Sequence, residues 1–161
     1  MDQHSLSKTL LIAGFALIVG TFGSQHRRDS RQIYNPPQGF YGDNDLVVVL
    51  NADDIEKEIF SNRRDSLVQF YASWCSDSKD FVPVYKSLAK SLKGLSRSLM
   101  IGAIDCGDAR NLPTCRMYEI NEYPSLRYFR SEAPKDSIGE NIKIVSDYVV
   151  IAKEVVDKLM S

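Results

Sequence analysis

The chain has 161 residues, 43% hydrophobic and 25% charged, a balance that suits one ordinary globular domain with its own core. Its formal net charge is −1, with no block of like charges, so nothing in the composition points to nucleic acid or to an acidic partner. Only two histidines occur, His4 and His26. Both lie near the N-terminus, which argues against a His-based triad or a His-containing metal site; no metal and no cofactor is expected.

In chain order, residues 1–8 are polar and include Lys8. Residues 9–19 read "TLLIAGFALIV", and "GTFGS" then supplies small residues. This is the pattern of a signal peptide over residues 1–24, cut between Gly20 and Gln25. The apolar run is short for a membrane-spanning helix, which needs about 20 residues, so no membrane association is expected after cleavage. Residues 25–43, "QHRRDSRQIYNPPQGFYGD", read as a flexible leader, and residues 44–161 as a single domain.

Within the domain, residues 46–50 ("LVVVL") are a buried-strand candidate. Asn51 or Asp53 can cap a helix to about Phe60, with Ile55 and Ile59 on one face. Residues 66–72 form a second strand. From Ser76 to about Lys93, Phe81, Val84, Tyr85, Leu88, Ala89 and Leu92 recur at helical spacing around Pro83, which should kink the helix. Gly94 closes it, and residues 98–105 are a third strand. Residues 125–129 follow Pro124 as a fourth strand, with a weak fifth near residues 138–144. A last helix over residues 145–160 would turn Val149, Ala152, Val156 and Leu159 inward. Strand–helix alternation followed by strands and a terminal helix predicts an α/β fold, a central mixed β-sheet flanked by helices.

A chain that enters the secretory route meets an oxidising lumen, where disulfides persist. Cys75, Cys106 and Cys115 can make one bridge and leave one thiol over. No Asn-x-Ser/Thr sequon occurs, and the terminal "KLMS" is not a retention tetrapeptide. The expected location is therefore outside the cell, or the endoplasmic reticulum lumen if a partner holds the chain there.

The residues that carry chemistry are 70–83, "FYASWCSDSKDFVP". A strand ends in Trp-Cys and passes into a helix, where a redox enzyme would carry Cys-x-x-Cys, but Ser78 holds the second position. The run "LVQFYASWC", then Pro83, then "YPS" at residues 123–125 resembles the thioredoxin superfamily in its secretory branch, over most of the chain beyond Leu46. "IDC" at residues 104–106, a further cysteine at Cys115, and "INEYPSLRYF" resemble more narrowly the N-terminal thioredoxin domain of quiescin sulfhydryl oxidases and the protein disulfide isomerases. The resemblance implies a thioredoxin fold, a cis bond before Pro124, and a structural disulfide between Cys106 and Cys115. A loop of that length would contribute about 2–3 kcal/mol; two free buried cysteines are the alternative. Quiescin oxidases also need a flavin-binding domain with its own cysteine pair, for which this sequence holds neither length nor cysteines, so a complete sulfhydryl oxidase is not expected.

Cys75 and Ser78 are the catalytic candidates. Thiol–disulfide exchange begins when a thiolate attacks a disulfide sulfur and forms a mixed disulfide. The helix start favours that thiolate, and Asp77 opposes it. Ser78 cannot resolve the mixed disulfide, although its hydroxyl could bond the Cys75 sulfur. Gln69 fits the same reading: the resemblance places there the buried carboxylate that accepts the second cysteine's proton, costly to bury and without use beside Ser78. A near-isostere unrelated to Ser78 is the plainer alternative. Trp74, Tyr123 and Pro124 are the substrate-binding candidates, with simple packing as the bland alternative for the two rings. Two functions remain in competition. One is a thiol-disulfide isomerase or thiol-trapping protein acting on thiol- or disulfide-containing secretory proteins. The other is a redox-inactive binding module.

Overall fold

The computed structural model describes residues 38–61 and 63–161. The expected signal peptide, and the leader as far as residue 37, lie outside the described residues. In chain order the elements are β1 (Val48–Leu50), α1 (Ile55–Phe60), β2 (Asp65–Tyr71), α2 (Ser76–Ser91), a short 3-10 turn (Lys93–Leu95), β3 (Leu99–Asp105), α3 (Leu112–Met117), β4 (Ser125–Phe129), β5 (Glu140–Ile142) and α4 (Tyr148–Leu159). One mixed sheet runs β1-β3-β2-β4-β5. β1 and β2 pair parallel with β3, while β4 lies antiparallel to β2 and β5 antiparallel to β4.

β2 and β3 occupy the middle of the sheet and are buried along their whole length, as expected of parallel strands covered on both faces. Side-chain alternation divides them between two cores. Leu67, Tyr71, Leu99, Ile101 and Ala103 pack with Tyr85 and Leu88 of α2 and with Ile151 and Val155 of α4. Val68, Phe70, Met100 and Ile104 pack on the opposite face with Ile55 and Ile59 of α1 and with Cys115 and Tyr118. Tyr85 is fully buried, and its hydroxyl donates to the carbonyls of Gly102 at 2.7 Å and Leu67 at 3.1 Å. That satisfies a polar group that would otherwise be costly inside the core.

Two expectations shift. Phe40 and Tyr41 do not belong to a flexible leader. Tyr41 is buried, Phe40 stacks on Tyr71 at 5.1 Å, and Tyr41 meets Tyr71 and Tyr85 edge-on. Two adjacent aromatic rings bury enough apolar surface to anchor an otherwise polar segment. In α4 the inward residues are Ile151 and Val155, flanked by half-buried Ala152, Val156 and Leu159, while Val149 is 56% exposed. The segment between Cys106 and Cys115 also contains the start of α3. α2 runs unbroken through Pro83, which has no N–H to return to the carbonyl one turn earlier. Among the described residues, no helix is long and apolar enough to cross a membrane.

Candidate functional site

The site forms where β2 hands the chain to α2. Ala72 is buried, Ser73 and Trp74 turn the backbone, and the Cys75 N–H closes the turn on the Ala72 carbonyl at 2.9 Å. Cys75 caps α2 in an extended conformation, and its carbonyl accepts from the Lys79 N–H at 3.1 Å. Its side chain is half-buried at the end of a sixteen-residue helix.

Asp105, the last residue of β3, fixes this turn from below. Its Oδ1 accepts from the N–H groups of Ser73 at 3.0 Å and Gly107 at 2.8 Å. The turn before the cysteine is thereby tied to the end of the neighbouring strand, and the Cys106 N–H adds a bond to the Tyr71 carbonyl at 2.7 Å. Gly107 permits the close approach: a Cβ there would lie 2.9 Å from Asp105 Oδ1, 3.0 Å from Trp74 Cδ1 and 3.1 Å from the Ser73 nitrogen. The sequence reading missed Asp105 and Gly107. The available signal was an acid closing a strand directly before a cysteine.

Facing the thiol is the loop before β4. The Tyr123–Pro124 bond is cis, and Cys75 Sγ donates to the Tyr123 carbonyl at 3.6 Å. Trp74 is 72% exposed and meets the Tyr123 ring edge-on at 6.0 Å. The structure thus brings Trp74, Cys75, Tyr123 and Pro124 together. Partial burial raises the Tyr123 hydroxyl above the usual tyrosine range, Arg116 pulling the other way and Asp105 adding to the rise.

Ser78 does not bond the Cys75 sulfur, contrary to expectation. It is fully buried in the first turn of α2, and its Oγ accepts from the Ala72 N–H at 3.3 Å. Its position one turn into the helix directs it toward the end of β2, while the thiol turns to Tyr123. Gln69 is also fully buried. Its Oε1 accepts from the Tyr41 hydroxyl, while its Nε2 has no protein partner. Burial, with the neighbouring Tyr71, holds the Tyr41 hydroxyl well above the usual tyrosine range, so it stays a hydrogen-bond donor to Gln69 at any physiological pH. Cys106 and Cys115 are joined by a disulfide, both sulfurs inside the core on the α1 and α3 side of the sheet. That leaves Cys75 as the free cysteine.

A five-stranded mixed sheet, with a helix-capping cysteine set against a cis-proline loop, defines a thioredoxin-type fold. The thioredoxin family model matches residues 46–148, and the chain belongs to that family. Among curated relatives, sulfhydryl oxidase 1 of Cavia porcellus is 31% identical over 75% of this chain and 20% of its own length. Sulfhydryl oxidase 2 of Mus musculus is 30% identical over 62% of this chain and 14% of its own. The chain therefore spans a fifth or less of these two relatives. Among solved structures, the J-Trx1 fragment of ERdj5 superimposes with a TM-score of 0.62 at 28% identity, covering 72% of this chain and 53% of that one.

Proposed function

We propose that this protein captures disulfide-bonded client proteins of the secretory pathway through a mixed disulfide at Cys75. The observation that carries the reading is one half-buried free thiol at the start of α2, beside the cis-proline loop, with a serine at the position where a second thiol would stand. The Cys75 thiolate attacks one sulfur of a client disulfide. The client S–S bond breaks, a Cys75–client S–S bond forms, and the other client sulfur leaves as a thiolate. No net oxidation occurs.

Release requires a thiol from elsewhere. Where the client's own thiolate attacks the mixed disulfide, Cys75 is regenerated and the client leaves with its disulfides rearranged, which is isomerisation. Where none can reach, the client stays bound, which is retention. Ser78 cannot take part, because a hydroxyl does not displace a thiolate from sulfur, and its Oγ is engaged with Ala72 N–H. A secretory location agrees with the apolar N-terminal run and with a disulfide in the core.

Incubation with a client of scrambled disulfides should give a covalent one-to-one adduct on non-reducing gels. The adduct should vanish with reductant and be absent in Cys75→Ala. If Cys75→Ala yields the same adduct as the parent, the assignment fails. The exposed Trp74 against Tyr123 favours the second reading, a binding module, should Cys75 prove unreactive.

A further inference from the structure

Beside the thiol, between the start of α2, the cis-proline loop and the strand-to-helix link before α4, lies an open groove of about 490 Å³. Its floor is apolar, made by Phe81 and Val84 of α2, Pro124 and Ile144, and Tyr123 forms the wall nearest the thiol. The polar rim is of one sign. Asp77 and Asp80 project from α2 at the spacing that shares a face with Phe81 and Val84, and Glu122 joins them from the loop. Among the described residues, none of the three carboxylates is matched by an ion pair, and no Lys or Arg lines the groove. Cations stand outside it: Lys143 in the adjoining depression beyond Pro124, and Arg116 close enough to act on the Tyr123 hydroxyl.

We infer that this groove selects extended client segments that pair apolar residues with Lys or Arg next to the cysteine under attack. The inference rests on the mixed-disulfide reading of Cys75 and adds the class of client. The apolar floor takes an aliphatic or aromatic side chain at no electrostatic cost. An acidic segment would bring like charges to three unpaired carboxylates, and like-charge contact across an interface discriminates strongly against wrong partners. The carboxylates are solvent-accessible, so their effect falls mainly on the rate of encounter and fades with salt.

The test uses two peptides with one cysteine each, activated as a neutral thiopyridyl disulfide, flanked either by Arg and Leu or by Glu and Leu. Cys75 attack on the peptide sulfur forms the protein–peptide disulfide and expels pyridine-2-thione, the better leaving group, whose absorbance reports the rate. At low ionic strength the basic peptide should react about tenfold faster than the acidic one. That ratio should fall toward one at high salt and in Asp77→Asn/Asp80→Asn/Glu122→Gln. Taking the ratio within each variant cancels any change in the thiol that comes from losing Asp77. Equal rates for both peptides, with Cys75 still attacking a small uncharged disulfide, would overturn the groove's selectivity and leave the thiol reading intact. Failure to react with the small disulfide as well would overturn both.

Discussion

Asp105 and Gly107 set the geometry of the thiol without being near enough to react. A methyl group at Gly107 would press on Asp105 Oδ1, the Trp74 ring and the Ser73 nitrogen within about 3 Å. The 2.9 Å approach to Asp105 Oδ1 is closer than real Cβ atoms come, so either the carboxylate or the turn must move. Trp74 is the only tryptophan, which makes its emission a clean probe. Gly107→Ala should shift that emission and slow alkylation of Cys75 while the fold persists; unchanged emission and rate would show that the turn is not held as described. Tyr41 makes a second test. Tyr41→Phe keeps the ring contacts and removes the donor to Gln69, leaving the buried Oε1 unsatisfied beside an already unpartnered Nε2. Urea denaturation should report a loss of about 1–3 kcal/mol.

Among the elements, the disulfide ties the end of β3 to α3 across nine sequence positions. Replacing both Cys106 and Cys115 with Ala should lower stability by about 2–3 kcal/mol on loop entropy alone, read as a drop in the urea midpoint. It should leave the Cys75 alkylation rate unchanged, since the bridge lies within the core on the α1 and α3 side. The elements also differ in how plainly the sequence marks them. β4 matched its expected residues because Pro124 marks its start and an aromatic run fills it. α4 was located but misphased: "YVVIA" is apolar at five successive positions, and such a run carries no helical phase until packing chooses Ile151 and Val155. α3 was missed because six residues containing a proline show no period. Phe40 and Tyr41 were hidden by their Gly, Pro and Asp neighbours, which signal turns locally, while the contacts that hold the two rings come from Tyr71 and Tyr85, distant in sequence. For the site, Trp74, Cys75, Ser78, Tyr123 and Pro124 were legible from motif alone. The bonding of Ser78 to Ala72 depends on where the helix start meets the strand end, which spacing does not encode.

Across the protein, the buried tyrosines couple stability to alkali. Burial raises Tyr118 to about 12 and also holds Tyr41, Tyr71, Tyr85 and Tyr128 well above the usual tyrosine range. A group whose folded pKa lies above its unfolded value of about 10 stabilises the fold fully below pH 10, and that contribution is lost as pH climbs through the folded value. Phenolate absorbance should therefore lag behind that of the denatured chain and rise together with loss of circular dichroism above pH 10. Complete ionisation near pH 10 with the fold intact would contradict the packing described for these rings.

On the proposed function, the single thiol of Cys75 captures a disulfide and cannot release it unaided. Intact-mass analysis after incubation with glutathione disulfide at about pH 8 tests this. The wild-type protein should gain one glutathione at Cys75 and hold it until an external thiol is added, whereas Ser78→Cys should shed the glutathione and form an internal disulfide. A wild-type protein that stays unmodified, or one that loses its adduct without added thiol, would rule out capture by Cys75.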